Sequence, residues 1–230
     1  MKPSPYDLMQ MHVQALYVHD QDSRLLTIND GSDKIAPRFF LGRTRQGNVW
    51  RFRQDLPQAL CSKLESLCEA ETAASERPQY EAAYIRMLAA HSPIKQIWLG
   101  PAYLFPHRLE AASEAIQINE QNSHLLKNGL QDWLPDVATQ QPFVARVVNG
   151  QAVAVCASVR ITAVAHEAGV ETLAAHRRRG YALSVVSAWA NEVRQIGAVP
   201  LYSTSIENKA SQQVAARLGL IKYGLDFHIT

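Results

Sequence analysis

The sequence predicts a mixed α/β fold, and three observations carry that expectation. Asn149-Gly150 stands between two apolar runs, a strong short-range hairpin signal. An extended run over Val170–Leu173 passes through a short polar turn straight into an amphipathic helical pattern. The second half then reads strand, strand, strand, helix, strand, helix, strand.

Taken in order, Leu25–Ile28 is a strand ending at the turn cluster Asn29-Asp30-Gly31, and Arg38–Thr44 and Asn48–Arg53 form a hairpin across Gln46-Gly47. Asp55 is the expected cap of a helix with Pro57 in its first turn and Leu60, Leu64 and Leu67 along one face. A second helix is expected over Pro78–Ala90, stopping before His91-Ser92-Pro93, and then a strand over Ile94–Leu99 closed by Gly100-Pro101. Ala111–Lys127 reads as a strand end followed by a helix, with a break at Asn128-Gly129. Phe143–Val148 and Gln151–Val159 are the arms of the Asn149-Gly150 hairpin, and His166–Leu173 is a third strand. The helix from Arg178 to Gln195 carries Ala182, Val186, Trp189, Val193 and Ile196 at three- and four-residue spacing, with Gly197 as its stop. Val199–Thr204 is a strand, Asn208 caps a helix ending at Gly219, and Ile221–Ile229 returns as strand. No linker rich in Pro, Gly or Ser interrupts the chain. The division is placed at residue 108, giving an N-terminal α/β segment (1–108) of unassigned role and a second domain over 109–230.

Composition narrows the partner class. The 230 residues are 47% hydrophobic and 19% charged, which is globular rather than disordered. Lys plus Arg number 23 against 21 Asp plus Glu, so the formal charge of +2 lacks the basic excess of a nucleic-acid or anionic-membrane coat. The most apolar stretch, Ala152–Val159, is too short to span a bilayer. The N-terminal MKPSPYDLMQ lacks the apolar core of a secretory signal, so the expected location is the cytoplasm. Cys61, Cys68 and Cys156 form no CxxC pair, and an odd count suits a reducing compartment. The histidines show no paired ligand spacing, so no metal is expected.

The chemistry lies at Val170-Glu171-Thr172-Leu173-Ala174-Ala175-His176-Arg177-Arg178-Arg179-Gly180-Tyr181-Ala182. The first N–H groups of the helix have no carbonyl partner within it, and the helix dipole adds partial positive charge there, worth roughly 0.3–1 kcal/mol per anion contact. Gly180 and the small Ala182 allow a phosphate close to the backbone, and three successive arginines add cationic donors. The junction reads as a phosphate cradle.

Arg177-x-x-Gly180-x-Ala182 resembles the [Q/R]-x-x-G-x-[G/A] signature of the GNAT superfamily of N-acetyltransferases. The flanking strand and helix, Val199–Thr204, Asn208-x-x-Ser211 and Leu218-Gly219-Leu220 follow that family's order over about residues 110–230. The resemblance implies a mixed, mostly antiparallel central sheet flanked by helices. It implies acetyl-CoA as co-substrate, with the pantetheine arm along Val170, Glu171 and Thr172 and the pyrophosphate on the backbone of Arg178, Arg179, Gly180, Tyr181, Ala182 and Leu183. Arg177 belongs to the signature itself, Asn208 matches an asparagine that contacts the cofactor, and Ser211 is placed to help. The implied reaction is direct attack of an amine, in a small molecule or a peptide, on the thioester. One departure is chemical: where many members carry a tyrosine as general acid, seven residues after the asparagine, this chain has Ala215. That loss leaves room for a second reading, a non-catalytic CoA-binding or interaction module.

An attacking amine must lose a proton, so a base is needed. His166 lies early on the strand leading to the cradle and shares a face with Ala168, Val170 and Thr172 by alternation. Glu171 sits nearer the cofactor, on the opposite face unless the strand bulges as in the GNAT family. The competing readings are a surface strand histidine for His166 and a carboxylate paired with the adjacent arginines for Glu171. The arginine run fits nucleic acid poorly, since a strand and not a second helix precedes it.

Overall fold

A computed structural model of the chain describes residues 3–72, 75–109 and 114–230. In chain order the elements are α1 (Pro5–Leu16), β1 (Tyr17–His19), β2 (Leu25–Ile28), β3 (Phe39–Thr44), β4 (Gly47–Phe52), α2 (Gln58–Ala70), α3 (Glu81–His91), β5 (Ile97–Leu104), β6 (Ala115–Gln117), β7 (Phe143–Val148), β8 (Gln151–Ile161), β9 (Ala165–Thr172), α4 (Tyr181–Gln195), β10 (Val199–Ser203), α5 (Lys209–Arg217) and β11 (Ile221–Ile229). Short 3-10 turns occupy Ser123–Leu126, Gln131–Asp136 and Ala174–His176. The predicted mixed α/β class holds, with mostly antiparallel sheet flanked by helices. Among the described residues no helix is long and apolar enough to cross a membrane.

Two compact units form. The first takes Met1–Tyr103, Ser203–Lys209 and Lys222–Thr230; the second takes Leu104–Tyr202 and Ala210–Ile221. The chain therefore does not divide once, near residue 108. Most of the last strand lies with the first unit because β11 pairs antiparallel with β3, from Gly224↔Thr44 to Ile229↔Phe39.

In the first unit the strand order is β4-β3-β11-β5. Helix α1, absent from the sequence reading, starts at a capping box: Asp7 N–H donates to Ser4 Oγ at 3.1 Å and Ser4 N–H donates to Asp7 Oδ2 at 2.9 Å, with Pro5 at the first helical position. It seats Met9 where a Cβ on Gly42 or Gly224 would come within 2.5 Å of that side chain. Helices α2 and α3 cover a cluster that includes Phe39, Leu41, Leu64, Tyr84, Leu88 and Phe227. Asp55 does not cap α2. Its carboxylate is held by the Arg53 guanidinium through two 2.8 Å bonds, a charge-assisted fork that outcompetes a backbone amide. Gly100-Pro101 does not close β5 either. Ile206 N–H donates to Leu99 O at 2.9 Å and Thr204 N–H to Pro101 O at 3.3 Å, so the strand continues, and a Cβ at Gly100 would meet Thr204 O at 1.9 Å.

In the second unit the strand order is β10-β9-β8-β7-β6, with β9 and β10 parallel and the other neighbours antiparallel. The β7–β8 turn has the two positive φ values its sequence predicts, 51° at Asn149 and 76° at Gly150. The helix expected before Lys127 is replaced by β6 and a 3-10 turn, with residues 111–113 of that reading outside the described residues. Asn119 and Asn122 side chains accept the N–H groups of Gln121 and Asn119 at 2.9 and 2.8 Å, an alternative to helical bonding. The segment from Ile118 to Val137 packs Leu126 and Leu130 against Phe143, Val155 and Ala157. α4 buries Val185, Val186, Trp189, Ala190 and Val193.

Candidate active site

The site is built at the end of β9. The parallel ladder between β9 and β10 covers three positions, Val199↔Ala165 to Leu201↔Glu167. β9 then continues to Thr172, paired with β8 through Ala154↔Thr172. Over Ala168–Thr172 the edge of β9 that faces away from β8 therefore has no strand ladder among the described residues. About 13 Å of extended backbone is exposed to pairing, at roughly 3.3 Å per residue. The Thr172 hydroxyl at its end has no hydrogen-bond partner among the described residues.

From Thr172 the chain turns through Ala174–His176 and enters α4 by two left-handed residues, Arg178 at φ 62° and Gly180 at φ 82°. Gly180 is the N-cap, and an added Cβ there would meet no protein atom within 4 Å. Ser184 N–H is the first to close onto the helix, donating to Gly180 O at 3.2 Å. The N–H groups of Tyr181, Ala182 and Leu183 lack helical partners by geometry, and no described side chain accepts from them. The helix starts at Tyr181 rather than Arg178 because the left-handed pair breaks the α conformation just ahead of it.

Arg177, Arg178 and Arg179 are exposed, and Arg177 Nε reaches back to Thr172 O at 3.3 Å. Arg146 of β7 fixes the first residue of α4: its guanidinium lies 5.4 Å from the centre of the Tyr181 ring while ion-paired with Glu114. Only the packing of β7 against α4 gives Arg146 that role, and no sequence motif marks it. Val170 is half-buried on β9 opposite Cys156, and Ala182 and Leu183 are half-buried in the first turn of α4.

The two base candidates separate. His166 is buried, with Nδ1 2.9 Å from Ser158 Oγ, which also accepts Trp189 Nε1 at 3.0 Å. Burial lowers the His166 pKa, so the ring stays neutral at pH 7. It is not a surface histidine. Glu171 is exposed on the opposite face, and its Oε2 accepts a 2.6 Å bond from Trp133 Nε1 rather than from the neighbouring arginines. The alternation of β9 is intact; the bulge lies on β8, where Val159 is the unpaired residue between Ser158↔Ala168 and Arg160↔Glu167. No sequence pattern marks Trp133, since its contact depends on how the segment before β7 folds.

Ser211, on α5, is engaged by the Tyr202 hydroxyl at 2.7 Å. Asn208 precedes α5, belongs to the first unit and donates its N–H to Ser205 O at 3.0 Å. Ala215 is fully buried on α5. Among the described residues no cluster of His, Cys, Asp or Glu could hold a metal ion.

Residues 144–224, the stretch with the β9–α4 junction at its centre, match the model of the GNAT acetyltransferase family. No curated protein matches the chain. Among solved structures, a GNAT-family acetyltransferase from Colwellia psychrerythraea is 13% identical, with a TM-score of 0.50 over 100% of this chain and 98% of that one. A GCN5-related N-acetyltransferase-like protein from Streptococcus suis is 14% identical, with a TM-score of 0.48 over 85% of each chain. A GNAT-family protein from Novosphingobium aromaticivorans is 13% identical with a TM-score of 0.47; the match covers 59% of this chain and 65% of that one. At these identities the Colwellia likeness concerns the fold alone. Over residues 144–224, then, the chain is similar to the GNAT acetyltransferase family.

Proposed function

We propose that the chain is an acetyl-CoA-dependent N-acetyltransferase that transfers acetyl to an amine by direct attack on the thioester. The observation that carries this is the juxtaposition of an open strand edge, Ala168–Thr172, with an uncapped helix N-terminus entered through Gly180. The residues fit a CoA thioester. Backbone groups along β9 suit the amides of pantetheine, added as a further strand. The free N–H groups of Tyr181–Leu183, with Arg178 and Arg179 beside them, suit a pyrophosphate. The open space at Gly180 leaves room for it, and the orphan hydroxyl of Thr172 supplies one more polar contact.

Acetyl-CoA supplies an activated acyl group; the protein must supply orientation and a route for protons. The acceptor nitrogen enters as ammonium and first loses one proton. Glu171 is the better placed base: its carboxylate is exposed, and Oε1 has no hydrogen bond among the described residues. It takes that proton directly or across one water and passes it to solvent. As the C–N bond forms and the C–S bond breaks, the second N–H proton leaves with the departing thiolate, giving an amide and a free thiol. His166 is held in a buried network with Ser158 and Trp189 and supports the sheet instead.

A reading as a non-catalytic CoA-binding module is favoured by one observation, the buried Ala215 where family members carry the tyrosine acid. Thiol release from acetyl-CoA in the presence of a panel of primary amines separates the two. Turnover with any amine supports the enzyme; calorimetric binding of CoA with no turnover across the panel supports the module. Three free, buried cysteines agree with a reducing, cytoplasmic setting.

A further inference from the structure

We propose that Trp133 is the positioning residue for Glu171 and fixes which carboxylate oxygen takes the acceptor's proton. This rests on the acetyltransferase reading above. Trp133 lies on the 3-10 turn Gln131–Asp136 and is locked on three sides. Its backbone N–H donates to Leu130 O at 3.1 Å, and its ring stands edge-on to Phe143 at 5.7 Å and 86°. Its six-membered ring edge lies over Gly169, where an added Cβ would come within 3.1 Å of Cη2 and 2.1 Å of Val159 Cγ1. The glycine at 169 thus leaves room for the Val159 side chain and for the indole beside it.

So held, the indole donates to Glu171 Oε2 at 2.6 Å. An exposed glutamate is otherwise free to rotate through many conformers, and ordering it would cost free energy at each encounter. The Trp133 bond consumes one oxygen and leaves Oε1 as the proton-accepting atom. That carboxylate, exposed at the ring's edge, is open to an approaching ammonium by charge. Other ionisable groups stand nearby: Asp132 and Asp136 on the same turn, Glu167 on β9, and Arg177, whose Nε donates to Thr172 O at 3.3 Å.

The test uses the full chain labelled with 15N at indole nitrogens. Its four tryptophans give four indole N–H signals, and W133F identifies that of Trp133. The Trp133 signal is expected to move with a single carboxylate titration in the wild type and to lose that titration in E171Q. In thiol-release assays W133F, which keeps a ring but removes the donor, is expected to lower kcat roughly 100-fold, as misplacement of a catalytic group does, with KM for acetyl-CoA unchanged. A Trp133 signal indifferent to E171Q, or a W133F enzyme with unchanged kcat, overturns the inference. CoA binding is measured separately by calorimetry: its absence defeats the acetyltransferase reading, whereas binding with an indifferent Trp133 signal defeats only this one. If W133F fails to fold, the E171Q titration still decides.

Discussion

His166 and Glu171 stand five positions apart on one strand and on opposite faces of its sheet. His166 Nδ1 meets Ser158 Oγ at 2.9 Å, beside Trp189 of α4, and Glu171 Oε2 meets Trp133 Nε1 at 2.6 Å, beside the segment that precedes β7. At about 3.3 Å per residue they are roughly 16 Å apart along the strand. One acceptor nitrogen cannot reach both, so their substitutions have separable consequences.

Replacing Glu171 with Gln keeps the shape and the Trp133 contact but removes the carboxylate proposed as the base. The expected loss in kcat is about 10²–10⁴-fold, with CoA affinity by calorimetry altered less than threefold. Equal activity in both proteins would assign the proton to another group.

His166→Ala is expected to act on stability instead. It leaves the buried Ser158 hydroxyl short of a partner and opens a cavity beside Trp189. A loss of about 1–3 kcal/mol follows from the unsatisfied group, read by urea denaturation, while kcat in the folded protein stays within a few-fold. A large kcat loss at unchanged stability would reverse the assignment.

Gly180→Asp places bulk, a carboxylate and a strained left-handed φ at the helix entrance. CoA binding by calorimetry is expected to fall at least 100-fold. Gly180→Ala adds only the backbone strain, about 1 kcal/mol, and is expected to bind less than tenfold more weakly. Wild-type affinity in the Asp variant removes the cradle from this end of α4. In the wild type, CoA at 100 times its Kd raises stability by about 2.7 kcal/mol, so a thermal scan with and without ligand gives an independent check.

Asp226 supplies a pH dependence. Burial alone would raise its carboxyl, but the His228 charge and hydrogen bonds from His12 and His228 more than offset this and hold it at about 2 against the usual 3.8. A carboxyl depressed on folding stabilises above the unfolded value and loses that contribution as pH falls through the folded one. The shift from 3.8 to about 2 corresponds to roughly 2 kcal/mol, present above about pH 4 and lost on approaching pH 2. Asp226→Asn is expected to flatten the acid limb of the stability curve between these values; an unchanged limb would place the acid sensitivity elsewhere.

Much of the site was legible because it is local. The run from Val170 to Ala182 carries its own instructions: β-branched residues for the strand, a glycine for a left-handed entry, and small residues after it. The Asn149-Gly150 turn is equally self-contained, since two positive φ values need those residue types wherever the chain lies. The capping box at Ser4–Asp7 is just as local. Asp55 shows the opposite case, a locally plausible cap captured by Arg53.

By itself, then, the sequence determined the order of the strands and helices after residue 143 and the glycine-led entry into α4 at the β9–α4 junction, because those depend on contacts a few residues apart. Only the tertiary structure decided that β11 closes the first unit against β3, that His166 is buried against Ser158 and Trp189, and that Trp133 holds Glu171. Each of these joins residues distant in sequence, and no local propensity or spacing encodes which partner wins when strands pair and side chains pack.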